Sequence, residues 1–310
     1  MSTFKAVVVQ WAPEYHDPRR GAEKACAAIA EAAALGARLV VFPEVWLQGY
    51  PYWASISVRD PRFTWFRRQL QACAVSVHGP EVAMVRTAAA RAGCVVVLSL
   101  QESAGGTVFN TQIFIGADGN LLGAHRKLVP TTTERLVWGR GDGSDIEAWD
   151  TPVGKLGGLI CFEHMMPLAR YALCNLGVQV HASVWPGHTT INPWVDACTR
   201  QLAFENGCFV LVAREVMSAD RLPPGSPDVS DDPSRWAMQG GSAIIGPNGQ
   251  YLAGPVFDRE VLVEAEIDLA LIDDVKWLYD GAGHYSRPDV FSLHWDRSVK
   301  SPLKCPVAEE

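Results

Sequence analysis

Apolar runs that carry no charge, each too short to be a buried helix, constrain this chain most. They lie at 39–42, 94–100, 156–160, 178–184 and 208–213. Runs of that length and content read as strands covered on both faces. Helical segments separate them: an alanine-rich stretch at about 20–35 stopped by Gly36, one opened by Gly79-Pro80 and ended by Gly93, one from Pro167 to about Leu176 with Gly177 beyond it, and one at 193–205. Proline at a first helical position and glycine just past the end are the expected punctuation. The first half therefore reads strand (4–10), helix, strand, helix, strand, then a hairpin of 108–115 and 121–125 around Ala117-Asp118-Gly119-Asn120. The second half repeats that order and closes on a strand pair near 242–253 and 261–267 and a helix at about 268–279. Two sheets packed face to face, with helices outside, would bury all the charge-free strands, which predicts an α/β fold.

The stretch Gly157-Gly158-Leu159-Ile160-Cys161-Phe162-Glu163-His164-Met165-Met166-Pro167-Leu168 is the chemical centre of this reading. It places Cys161 where a buried strand stops and a helix begins. Free backbone N–H groups and a helix N-terminus there favour a thiolate over a thiol. Taken alone, Cys161 reads more readily as a buried, inert cysteine. Two further strand ends change that. Leu39-Val40-Val41-Phe42-Pro43-Glu44 ends in a carboxylate, and Leu121-Leu122-Gly123-Ala124-His125-Arg126-Lys127 ends in a cation. Acid, ammonium and thiol just beyond three strands can converge on one rim, where lysine favours the thiolate and glutamate takes and returns a proton.

Phe42-Pro43-Glu44, His125-Arg126-Lys127-Leu128-Val129-Pro130 and Cys161-Phe162-Glu163-His164 resemble the Glu–Lys–Cys motifs of the nitrilase (carbon–nitrogen hydrolase) superfamily. The segments from Glu134 to Asp145 and Gly283-His284-Tyr285-Ser286-Arg287-Pro288-Asp289 are similar to motifs of its nitrilase branch. The resemblance implies a four-layer αββα sandwich with Cys161 as nucleophile, Glu44 as base, and Lys127 stabilising developing negative charge. It makes Glu134 a second glutamate that holds Lys127 and orients the reacting carbon. It also implies an organic nitrile and water as reactants, acid and ammonia as products, and a homodimer or larger homo-oligomer. Tyr52, Trp53, Trp138, Phe162 and Trp185 are the candidate substrate-binding rings. Phe162 departs from the tryptophan that usually follows the nucleophile. Amidases and carbamoyl hydrolases share the triad and form the alternative; a non-catalytic assembly subunit is a further one.

The remaining features exclude other classes. A net charge of −7 without a basic cluster argues against nucleic acid or an anionic membrane as partner. Met1-Ser2-Thr3-Phe4-Lys5 shows no signal-peptide pattern, and no apolar run approaches the roughly 18 residues of a membrane span, so a cytoplasmic location is expected. The eight cysteines are dispersed without a Cys-x-x-Cys pair and read as reduced thiols. Neither a metal site nor a cofactor is expected, because no His-Glu-x-x-His occurs and Gly139-x-Gly141-x-Gly143 lacks the lysine and helix of a phosphate loop. The chain is expected to be one domain over 1–310, with a core at about 4–280 and a tail at about 281–310. Within it, 45–65 reads as a long aromatic loop, and 218–235 as a polar, proline-rich loop that is mobile or at a subunit contact.

Overall fold

A computed structural model describes residues 3–227 and 236–300; residues 228–235 of the expected proline-rich loop and 301–310 of the expected tail lie outside the described residues. The first half of the chain supplies β1 (Thr3–Gln10), α1 (Pro18–Ala34), β2 (Ala37–Val41), α2 (Pro61–Cys73), α3 (Pro80–Ala92), β3 (Val95–Ala104), β4 (Thr107–Ile115) and β5 (Leu121–Arg126). The second supplies β6 (Trp149–Thr151), β7 (Gly154–Ile160), α4 (Pro167–Asn175), β8 (Val180–Trp185), α5 (Asn192–Asn206) and β9 (Phe209–Arg214). It continues through β10 (Val216–Ser218), β11 (Trp236–Ile245), β12 (Tyr251–Phe257), β13 (Val261–Asp268) and α6 (Leu271–Leu278). Among the described residues the strands form two sheets, ordered β13-β1-β2-β3-β4-β5 and β10-β11-β9-β8-β7-β6, with β12 beside β11. β1, β2 and β3 run parallel, and so do β7, β8 and β9, so the repeated strand–helix order of the two halves is real.

Alternation within the charge-free strands builds the layers. Leu39 and Val41 of β2, with Val95 and Val97 of β3, join Ile160, Ala182 and Val184 of the other sheet in one buried cluster. Val40, Phe42, Val96 and Leu98 point the other way, onto Ala25 and Ile29 of α1 and Val82 and Val85 of α3. On the far side Leu159 packs with Ala169 and Leu173 of α4. The result is the expected αββα sandwich. Each fully buried valine or leucine contributes about 1.5–3 kcal/mol against exposure, and here both faces of each sheet draw on it. Helix ends follow the glycine punctuation read in the sequence, Gly36, Gly93 and Gly177 taking positive φ of 87°, 65° and 75°, and the structure adds Asp17, which caps α1 through the Arg20 N–H at 3.0 Å. The glycines at 139–143 serve packing. A Cβ on Gly141 would lie 2.1 Å from the Arg126 carbonyl oxygen, and its N–H bonds the Lys127 carbonyl at 2.8 Å.

Three expectations change. Within the presumed aromatic loop, Tyr52–Ser55 forms a 3-10 turn, and α2 starts at Pro61 behind the Asp60 cap and buries Phe63, Phe66, Leu70 and Cys73 on one face. The aromatic crowding hid that helical spacing. Strand 242–253 is two strands, because Gly249 at φ 74° turns the chain between β11 and β12. And β13 does not close the second half. It crosses to pair antiparallel with β1 in the first sheet, from Thr3 opposite Asp268 to Gln10 opposite Val261. Residues 281–300 have no regular structure; Trp295 there donates to the Gly143 carbonyl at 2.9 Å. No helix among the described residues is long and apolar enough to cross a membrane.

Candidate active site

Three strand ends meet at one point between the sheets. Glu44 lies just beyond β2, Lys127 directly follows β5, and Cys161 directly follows β7 and opens a 3-10 turn through Met165. Glu44, Lys127, Glu134 and Cys161 are all buried, at 0%, 1%, 3% and 4% exposure. The Lys127 ammonium donates to Glu44 Oε1 at 2.8 Å and to Glu134 Oε2 at 2.7 Å. One atom each of Glu44, Glu134 and Cys161 lies within 4.8 Å of the others. Such a set could hold a metal ion, but Lys127 already supplies the positive charge to both carboxylates.

The two carboxylates differ in what their remaining oxygens meet. Glu134 is saturated, taking the Thr131 N–H at 2.6 Å and the Tyr50 hydroxyl at 2.5 Å. Glu44 takes the Asn110 amide at 2.6 Å on the oxygen it shares with Lys127, and its Oε2 is buried with no hydrogen-bond partner among the described residues. The backbone is strained where it delivers these groups. Val45, Thr132 and Cys161 have φ of 43°, 43° and 53°, a region that costs a side-chain-bearing residue on the order of 1–3 kcal/mol.

The electrostatics reverse the expected thiolate. Burial pushes the Cys161 thiol well above its usual range and the negative charge of Glu44 adds to this; Lys127, and the Phe162 N–H that bonds the sulfur, oppose them without prevailing. Two carboxylates against one ammonium already leave an excess negative charge in a dry site, so a third anion is unfavourable. Burial likewise holds Glu44 up to about 7, with Glu134 adding and Lys127 and Asn110 opposing. Burial works against the Lys127 charge, but Glu44 and Glu134 keep it protonated. The arrangement is a protonated thiol beside a carboxylate at the edge of ionisation, with one oxygen free.

Residues 5–276 match the family model described as carbon–nitrogen hydrolase. The chain belongs to the carbon–nitrogen hydrolase family. It is 39% identical over 301 residues to a bifunctional nitrilase/nitrile hydratase of Lupinus angustifolius, covering 94% of this chain and 85% of the relative. It is 37% identical over 308 residues to an aliphatic nitrilase of Sinorhizobium fredii, covering 98% and 99%. A crystal structure of a carbon–nitrogen hydrolase from Helicobacter pylori shares the fold, with a TM-score of 0.75 at 22% identity over 94% of this chain and 97% of that one.

The rings singled out in this carbon–nitrogen hydrolase divide. Trp138 lies under Lys127, whose Nζ is 5.7 Å from the ring centroid. Phe162 meets Trp185 at 6.2 Å and Trp194 at 6.0 Å. Trp185 is fully buried and stacks on His164 at 4.9 Å. Tyr52 donates its hydroxyl to Glu215. Trp53 belongs to the packed cover, stacked on Phe66 at 5.5 Å in the cluster built by α2.

Sequence reading assigned no role to Asn110, Glu163 or Glu215, and took Tyr50 only as one ring of the aromatic segment at 45–65. Glu163 was in plain sight beside Cys161, and its partners explain it. Its carboxylate takes the Leu128 N–H at 2.6 Å, the Ile160 N–H at 2.7 Å and His125 Nε2 at 2.9 Å. Leu128 follows Lys127 and Ile160 precedes Cys161, so one buried carboxylate ties together the strand ends of both sheets. His125 bonds Asp145 through Nδ1 at 2.8 Å; burial opposes its charge, but Glu163 and Asp145 hold it up to about 10.

A group raised in this way stabilises the fold fully below its unfolded pKa of about 6.5, and that stability is lost as pH rises through the folded value. Glu163→Gln should therefore lower unfolding stability near pH 6 by about 3 kcal/mol, the usual cost of breaking a buried ion pair. It should also flatten the decline that wild type shows from about pH 6.5 towards about pH 10. Urea unfolding across that range checks both, and an unchanged slope would contradict the assignment of His125 as a buried cation.

Proposed function

We propose that this hydrolase is a nitrilase that converts an organic nitrile and water into a carboxylic acid and ammonia. The observation that carries the reading is the placement of the buried Cys161 sulfur within 4.8 Å of a carboxylate oxygen of Glu44, whose Oε2 is free, beside the Lys127 ammonium. The names of the relatives at 37–39% identity favour nitriles over the amides of the alternative reading.

As the Cys161 sulfur bonds the nitrile carbon, its proton passes to Glu44 and on to the nitrogen, giving a thioimidate without an isolated thiolate. Lys127 and the Phe162 N–H stabilise the negative charge that develops. Glu44 then activates a water, whose addition gives a tetrahedral carbon bearing both sulfur and nitrogen. Loss of ammonia leaves a thioester, and a second water releases the acid and restores the thiol. Loss of sulfur at the tetrahedral stage would release the amide instead. Glu134, saturated by Lys127, Thr131 and Tyr50, is the holder that keeps Lys127 in place.

We also read the groove of about 500 Å³ between α4 and residues 279–293 as the seat of a second copy of this chain. Leu168, Tyr285 and Phe291 line it at 65%, 61% and 79% exposure, an apolar face of the kind that isologous dimers cover.

Purified protein should release ammonia and acid from small aromatic or aliphatic nitriles and react far more slowly with the matching amides. Cys161→Ala should abolish turnover while leaving the circular dichroism spectrum intact. Ammonia from amides or carbamoyl compounds, with nitriles untouched, would move the chain to the alternative. With Glu44 acting as base, kcat/KM should rise as pH climbs through about 7, because only the ionised carboxylate accepts the thiol proton. A profile flat from pH 5 to pH 8 would remove Glu44 from that role. Sedimentation at micromolar concentration should show dimers or larger species, and Leu168→Asp should shift them towards monomer; a wild-type monomer would end the dimer reading.

A further inference from the structure

Each buried carboxylate around the site has a cation, with one exception. Glu44 and Glu134 share Lys127, Glu163 has His125, and Glu102 has Arg126. Glu215 is fully buried and makes no ion pair among the described residues. It follows β9, whose rim is shared with β7 and β8. Ile160 lies beside Val184 and Val184 beside Ala213, so Cys161, Trp185 and Arg214 stand level, with Glu215 one residue further. Two strand spacings put the Cys161 and Glu215 backbones about 10 Å apart.

Successive side chains at a strand end point to opposite faces. Arg214 turns outward to α5, bonding Asn192 Oδ1 and the carbonyls of Pro186 and His188. Glu215 turns inward, to the segment that follows Glu44. Its Oε1 accepts from the Tyr52 hydroxyl, and the Tyr50 N–H also bonds the carboxylate. Tyr50 is the ring whose hydroxyl bonds Glu134, which places Glu215 on the wall of the same site. The other oxygen, Oε2, is buried with no partner among the described residues. Burial holds the carboxyl up to about 8, and the charge of Glu44 adds to it, against the Tyr52 and Tyr50 bonds. Clamping Tyr52 needs only Oε1, so the clamp does not account for a second oxygen buried without a partner among the described residues, which is costly in a fold unless something binds it.

Resting on the nitrilase reading, we propose that Oε2 of the ionised Glu215 carboxylate is the acceptor for a hydrogen-bond donor, a hydroxyl or amino group, carried by the substrate at its end remote from the nitrile. Glu215 is then the specificity-determining residue of this hydrolase. A hydrocarbon end would leave Oε2 unmatched in the closed site, whereas an O–H or N–H completes it.

The test compares three nitriles of one length over a short series of chains: an ω-hydroxyalkyl nitrile, its ω-amino counterpart, and the alkyl nitrile with methyl in that position. At about pH 9, above the value of about 8 at which the Glu215 carboxyl ionises, wild type should favour at least one donor-bearing member over the methyl isostere by about tenfold or more in kcat/KM. In Glu215→Leu that ratio should collapse to about one. Glu215→Gln can keep the Tyr52 clamp while turning an NH2 towards the ligand, and should lose any preference for the ω-amino member, whose ammonium cannot accept a hydrogen bond, which a purely structural glutamate would not do. Equal kcat/KM for all three nitriles in wild type, a ratio unchanged in Glu215→Leu, or an amino-to-methyl preference unchanged in Glu215→Gln overturns this inference alone. A wild type that leaves all three untouched yet hydrolyses amides overturns the nitrilase reading and this inference together.

Discussion

An ammonium taken out of water costs several kcal/mol unless charged and hydrogen-bonding partners meet it, and Lys127 is met by Glu44 and Glu134 at 2.8 and 2.7 Å. That requirement reaches outward through the structure. The two carboxylates come from different segments, so the end of β2 and the turn after Lys127 must both reach the ammonium. The thiol arrives from the other sheet, so the sheets must pack with their strand ends in register at this spot. Gly158 is part of how they do so, since a Cβ there would lie 2.6 Å from Gln112 Oε1 on the opposing sheet. Glu163 then locks the register by taking N–H groups from both strand ends.

The same cluster explains why strain is tolerated. Three of the five non-glycine residues with positive φ among those described lie at Val45, Thr132 and Cys161. Each is where the chain turns off its preferred path to aim one of the four buried groups. The network of bonds onto Glu44, Glu134 and Lys127 over-determines their positions and offsets that cost. The site is therefore preorganised by its surroundings, and the proposed chemistry would need little reorganisation around the buried groups.

Much of this was legible in the sequence because position and chemistry coincide. Glu44, Lys127 and Cys161 each end a charge-free strand, and no ordinary core accounts for ionisable groups at those points. Glu134 came only through resemblance, since it sits in a stretch without periodicity. The protonation of Cys161 was not legible, because it depends on the sum of charges in a closed space, and the sequence does not show how many neighbours converge. Trp53 read as a pocket wall because the helix it packs against, α2, was hidden among aromatic residues. Glu215 left no local signal at all: its meaning lies in what fails to meet Oε2.

The pairing of β1 with β13 has a consequence for how the chain is made. Thr3 finds its partner at Asp268, so the first strand leaves the ribosome long before its neighbour exists. During that interval β1 can pair only with β2, and its other edge, rich in buried valines, stays open. An open apolar edge is a template for intermolecular pairing, and a fold dominated by such distant contacts assembles slowly. The first sheet closes only after the segment bearing Cys161 and Glu215 has been synthesised. Completion of the scaffold and arrival of the Cys161 thiol are thus ordered in time by topology, and a prematurely terminated chain exposes a sheet edge instead of a half-built site.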